Sequence, residues 1–143
     1  MNVIFLDVDG VLNNQALLYR YGLDYIDDGM VDLLKSVVFA TKAKVVLSST
    51  WRLDGYSCEL VKKVLGSKGM EIYGKTARIE HADRAEEILD WLGKHPEVGR
   101  YAVVDDMDNA GVGIEANFFQ TDPEKGLTSE IASRITIHFK ERI

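Results

Sequence analysis

Two aspartates spaced two apart, Asp7 and Asp9, close a short apolar run at the start of this chain. The run reads MNVIFL, β-branched and aromatic enough for a buried strand. Side chains on a strand repeat with period two, so both carboxylates point the same way. Gly10 then permits a sharp turn. Two carboxylates side by side at a strand's carboxyl end repel, and they stay ionised together when a cation sits between them. The opening segment is therefore a candidate metal and reaction site.

Two further strand-like runs end in polar residues of complementary chemistry. Val45-Val46-Leu47 runs into Ser48-Ser49-Thr50-Trp51-Arg52, and Tyr101-Ala102-Val103-Val104 runs into Asp105-Asp106. Together the three ends offer carboxylates, hydroxyls and backbone donors to one crevice. Trp51 and Arg52 have two readings. They stack on and pair with substrate, or Trp51 packs beneath the loop while Arg52 pairs with an acid. The three histidines have no metal-ligand spacing; His81 is a candidate neighbour of the site, and His95 and His138 read as surface or packing residues.

These residues need elements to position them. Strands are expected at Asn2–Asp7, Lys44–Leu47, Met70–Tyr73, Arg100–Val104 and Glu115–Gln120. Between them, Asn13–Asp28 reads as an irregular, partly helical insert rich in Tyr and Leu. Asp28 is a candidate cap for a helix over about Gly29 to Thr41, and Ser57 for one reaching Leu65. Asp83-Arg84-Ala85-Glu86 has capping-box spacing, with Ala85, Ile88, Leu89 and Leu92 expected inward. Thr128 is expected to cap a last helix to about Phe139. This alternation predicts an α/β fold: a three-layer, Rossmann-like, mostly parallel sheet with helices on both faces. Ligands bind beyond the carboxyl ends of the strands in such sheets, where the polar residues fall.

Composition bounds the function. A length of 143 residues suits a single domain, residues 1–143. No apolar run is long enough for a membrane helix, and the N terminus lacks signal-peptide features. Cys58 is the lone cysteine, so no intrachain disulfide forms, which fits a reducing, cytoplasmic setting. It reads either as a thiol at a helix start or as a small, half-buried hydrophobe. A net charge of −6 argues against strong nonspecific nucleic-acid binding.

The strings LDVDGVLN, VVLSSTWR and VVDDMD, in that order, resemble the motifs of the haloacid dehalogenase superfamily, mainly phosphatases. With Arg84 before EILDWL and the late KGLT, the chain resembles one subgroup. This is the domain associated with Swiss army knife RNA-repair proteins. The segments between the strands leave no room for a large cap, so the resemblance implies a capless or minimally capped enzyme.

Carried onto this sequence, the resemblance implies a Mg²⁺-dependent phosphomonoesterase working through an aspartyl-phosphate. Asp7 would be the nucleophile and Asp9 the general acid, then base. Ser48 would hydrogen-bond the phosphoryl group, and Arg84, with Lys75 as rival, would supply the counter-charge. Asp7, the Asp9 carbonyl, Asp105 and Asp106 would hold the metal, with either Asp105 or Asp106 as the direct ligand. Ser49, Trp51 and Arg52 are the substrate-side candidates. The implied partner is a phosphorylated small molecule, such as a nucleotide, or a polynucleotide end. The other reading is a catalytically weak phosphate-binding or regulatory domain on the same fold.

Overall fold

The computed structural model describes residues 1–141. Five strands form one parallel sheet in the order β3-β2-β1-β4-β5. They are β1 (Asn2–Leu6), β2 (Lys44–Leu47), β3 (Ile72–Lys75), β4 (Arg100–Asp105) and β5 (Phe118–Gln120). The helices are α1 (Gln15–Tyr21), α2 (Asp28–Thr41), α3 (Gly55–Ser67), α4 (Arg84–Gly93) and α5 (Ser129–Lys140). The expected three-layer α/β architecture is present, and the insert after β1 carries only α1 ahead of α2.

Period-two alternation divides the central strands between two cores. Ile4 and Leu6 join Val45, Leu47, Ala102 and Val104 on the face covered by α2, α3 and α5. Val3, Phe5, Val46 and Val103 face α4, through Ala85, Ile88 and Trp91. Sheets buried on both faces read as near-continuous apolar runs, which is why VIFL, VVL and AVV stand out in the sequence.

Register sets the site. Leu6 lies beside Leu47 on one side and Val104 on the other. The next residue of each strand therefore emerges at one level: Asp7, Ser48 and Asp105. The backbone ties them, with Asp7 N–H donating to the Val104 carbonyl at 3.1 Å and Ser48 N–H to that of Leu6 at 3.0 Å. The crevice opens where β1 is flanked by β2 and β4, the reversal point of the strand order.

Several boundaries differ from the sequence expectation. Asp27, not Asp28, caps α2, its carboxylate accepting from Met30 N–H at 3.0 Å. Asp54, not Ser57, caps α3, and Ser57 supplies the N–H. In both cases two residues suited to capping lie close together, and the direction in which the chain enters the helix selects one. β3 starts two residues later than expected because Met70 is still closing α3, donating to the Leu65 carbonyl. Glu115–Asn117 winds into a 3₁₀ turn, leaving only Phe118–Gln120 as strand.

The capping box at Asp83 and Glu86 is present, and Ala85, Ile88 and Leu92 face the core as expected, but Leu89 does not. Leu89 stays 46% exposed, and Trp91 turns inward with Ala85 and Ile88. Glu87 is also turned inward, with a consequence for Arg52.

Candidate active site

The three strand ends meet as their register requires. Carboxylate oxygens of Asp7, Asp105 and Asp106 all lie within 4.8 Å of one another. Asp7 and Asp105 are buried and Asp106 is half-buried. Burial first, and the neighbouring Asp105 charge second, raise the Asp7 pKa well above its ordinary 3.8, against the pull of Arg84. Burial likewise raises that of Asp106.

One side chain counters this negative charge. Arg84 Nη1 sits 2.7 Å from Asp105 Oδ2 and 3.3 Å from Asp7 Oδ1. Arg84 is the first residue of α4, so the capping box aims its guanidinium. Lys75 ends β3 as an exposed residue and makes no ion pair among the described residues. Asp105 is occupied on both oxygens, since Oδ1 also accepts from Met107 N–H at 2.9 Å. Asp106 has no cation against it among the described residues and is the freer carboxylate.

This donor set fits a hard divalent cation: all-oxygen, converging, and short of positive charge. Gly10 keeps the space open. Its φ of +78° suits glycine, and a Cβ there would overlap the Asp106 carboxylate. Thr121, just after β5, clamps the same turn through Oγ1 donating to the Gly10 carbonyl at 2.6 Å.

Ser48 is fully buried, and its Oγ, like that of Thr76, has no hydrogen-bond partner among the described residues. A buried hydroxyl left unpaired costs about 1–3 kcal/mol. At this strand end, such an atom fits a site completed by a ligand oxygen.

Asp9 stands apart from the carboxylate cluster. Its Oδ1 accepts from Asn13 Nδ2 at 3.1 Å and its Oδ2 from Trp51 Nε1 at 3.1 Å. Both donors are buried. Two segments, one on each side, thus hold one carboxylate in a fixed orientation.

That arrangement matches the packing reading of the second motif, in which Trp51 lies beneath the loop and Arg52 pairs with an acid. Trp51 is buried, with its indole N–H on Asp9. Ser49 Oγ accepts from Trp51 N–H at 3.2 Å, capping the 3₁₀ turn Thr50–Leu53. Arg52 is enclosed. Its Nε donates to the Thr76 carbonyl at 2.8 Å, and Nη1 to the carbonyls of Ser48 and Ser49 at 3.1 and 2.8 Å. Its Nη2 pairs with Glu87 Oε1 at 3.1 Å. Four of its five N–H groups are spent within the protein and its side chain is 3% exposed, so Arg52 is placed as a strut under the loop bearing Ser48.

Asn13 and Glu87 were not singled out by sequence. Asn13 Oδ1 accepts from Gly10 N–H at 2.8 Å while its amide holds Asp9 and the Tyr25 carbonyl. The signal was there, as the last letter of LDVDGVLN, three residues past the glycine turn. Glu87 is an acid one residue before the inward Ile88, legible only once the phase of α4 is known. Cys58 is packed in the core as a small hydrophobe. His81 is exposed on the Thr76–Asp83 loop, lining a cavity of about 590 Å³ with Arg78 and Glu87.

Residues 3–132 fit the family described as the HAD domain in Swiss Army Knife RNA repair proteins. A search of curated proteins returned no match.

Proposed function

The chain belongs to the family of HAD domains found in Swiss Army Knife RNA repair proteins, and from that premise we propose that it is a Mg²⁺-dependent phosphomonoesterase acting on nucleotides or polynucleotide ends. The observation that carries the reading is the shared level of Asp7, Ser48 and Asp105, with the Ser48 hydroxyl buried and unpartnered.

In this reading Asp7 attacks phosphorus through a carboxylate oxygen. The bond to the leaving oxygen breaks and an aspartyl-phosphate forms. Asp9 gives its proton to the leaving oxygen, then takes one from the water that opens the aspartyl-phosphate. Ser48 Oγ donates to a phosphoryl oxygen. Arg84 offsets the charge gathering beside Asp7 and Asp105. Asp7, Asp106 and the Asp9 carbonyl would hold the metal directly, with Asp105 supporting it from behind through Arg84. When bound, Mg²⁺ supplies positive charge that lets the anionic carboxylate and the anionic phosphate approach.

The test is phosphate release from p-nitrophenyl phosphate, nucleoside monophosphates and 3′- and 5′-phosphorylated oligonucleotides. Turnover is expected with Mg²⁺, lost in EDTA and restored by Mg²⁺. Failure on the whole panel, with any divalent metal, would return the chain to a phosphate-binding role.

Trp51 gives a sharper test of Asp9. Trp51→Phe keeps the buried ring and removes the donor to Asp9 Oδ2. An alkyl phosphate needs a proton on its leaving oxygen, whereas p-nitrophenolate leaves without one. The variant is expected to lose about tenfold on alkyl phosphates and much less on p-nitrophenyl phosphate. Equal losses on both would show that the indole supports the fold and not the acid.

A further inference from the structure

Gly10 is tied at both of its peptide units. Its N–H donates to Asn13 Oδ1 at 2.8 Å, and its carbonyl accepts from Thr121 Oγ1 at 2.6 Å. The peptide group is planar, so holding the Gly10 N–H also aims the Asp9 carbonyl, on the opposite edge of the same plane. Between the two anchored planes only φ and ψ of Gly10 are left, and an unrestrained glycine samples both signs of φ. The Thr121 hydroxyl removes that remaining freedom.

Thr121 reaches the turn from the end of β5. Gln120 pairs with Asp105 in the β4–β5 register, and Thr121 N–H donates to the Asp105 carbonyl at 3.0 Å. Gln120 Nε2 donates to the Asp106 carbonyl at 3.1 Å. These two residues thus hold the backbone that carries Asp105 and Asp106, and one of them also holds Gly10, 111 residues earlier. The two loops are in close contact, since a Cβ on Gly10 would overlap the Asp106 carboxylate. The segment after Thr121 closes over the rest of the turn. Leu127 N–H donates to the Val11 carbonyl at 2.8 Å, and Gln15 N–H to the Pro123 carbonyl at 3.0 Å. Thr121 is buried, where valine would fill the same space without a hydroxyl to satisfy.

We propose that Thr121 is a positioning residue for the divalent cation: its hydroxyl fixes the Gly10 turn against Asp106, so that the Asp9 carbonyl and the Asp106 carboxylate converge on one ion. The inference rests on the metal-dependent reading above and adds to it a residue outside the ligand set. Groups that orient metal ligands without touching the ion are worth about 10–100-fold in affinity. A hydroxyl that only closed a loop would change stability and leave metal affinity alone.

The experiment measures Mn²⁺ binding to the full chain by electron paramagnetic resonance, competition by Mg²⁺, thermal melting, and the Mg²⁺ dependence of kcat and KM. Thr121→Val keeps the shape and removes the donor, whereas Thr121→Ser keeps the donor. Thr41→Val is the control. It removes a buried hydroxyl that donates to the Val37 carbonyl at 2.7 Å, at the amino edge of the sheet, where Asn2 of β1 bonds the Thr41 carbonyl. Thr121→Val is expected to weaken Mn²⁺ and Mg²⁺ binding by about tenfold and to recover most of its kcat at saturating Mg²⁺. Thr121→Ser should restore the affinity. Thr41→Val should melt lower and bind metal as the wild type does. Should Thr121→Val misfold, Thr121→Ala, which leaves the turn room to relax, carries the same comparison. Unchanged affinity in the folded variant, no rescue by serine, an equal loss in Thr41→Val, or misfolding of both donor-free variants would overturn the proposal. A wild type that binds Mn²⁺, loses affinity in Thr121→Val and turns over no phosphoester keeps the positioning role and removes the phosphomonoesterase reading. A wild type that binds no divalent cation removes the metal-dependent reading, and this role with it.

Discussion

Asp7→Asn is expected to cut phosphate release by at least about 10⁴-fold while leaving the protein folded and, without metal, more stable. The loss follows from chemistry: an amide is a poor nucleophile, and removing the group that forms the covalent intermediate leaves only positioning and charge stabilisation. The gain follows from electrostatics. Burial and Asp105 hold the Asp7 pKa well above its ordinary 3.8, so the folded state binds this proton more tightly than the unfolded chain does. Stability of the metal-free wild type should therefore be greatest below about 3.8 as far as this group is concerned. It should fall as pH rises from there to the raised folded value. In Asp7→Asn that falling limb should be shallower. Thermal melts across pH, with and without Mg²⁺, check the second half, and single-turnover phosphate release checks the first. A variant that is inactive and also less stable at neutral pH would mean that Asp7 is structural.

Arg52→Ala carries the largest expected cost in stability. Its side chain is 3% exposed, and its guanidinium serves three backbone carbonyls as well as Glu87. Removing it leaves Glu87 buried without its ion-pair partner, held only by the Ile79 N–H, with the carbonyls of Thr76, Ser48 and Ser49 short of donors. Breaking a buried pair from one side costs about 3–5 kcal/mol, or a melting temperature lower by roughly 10 °C for a chain of this size. Replacing both partners, as Arg52→Met with Glu87→Leu, should recover much of the loss, because no buried charge is then stranded. The opposite expectation belongs to a substrate-binding arginine: a raised KM with stability unchanged. Denaturation of the three variants beside their KM values separates the two roles.

Much of the fold was legible because buried parallel strands announce themselves as short apolar runs between helix caps. Lys44–Leu47 and the capping box at Asp83 stand where the sequence puts them. The caps of α2 and α3 were misplaced because Asp27 and Asp28, or Asp54 and Ser57, satisfy the same local preference. Only the path of the chain distinguishes them. On α4, Leu89 was misplaced because it is apolar, and Glu87 was passed over because it is charged. The helix nonetheless turned Glu87 inward, since Arg52 waits there.

The candidate site divides along the same line. A strand's period of two and its polar end belong to the sequence, so Asp7, Asp9, Ser48, Asp105 and Asp106 could be named from spacing alone. Hydrogen bonds between segments far apart in the chain do not. Whether Trp51 reaches for a substrate or for Asp9, 42 residues earlier, leaves no local trace in SSTWR. Nor does the choice of Arg52 between a phosphate and Glu87, 35 residues later. The sequence by itself determined which residue types arrive at the carboxyl ends of which strands, because local geometry sets that. Only the tertiary structure decided which of them converge on Asp7 and which turn under the loop to hold it. Strand register and helix phase, set by packing across both faces of the sheet, decide that division.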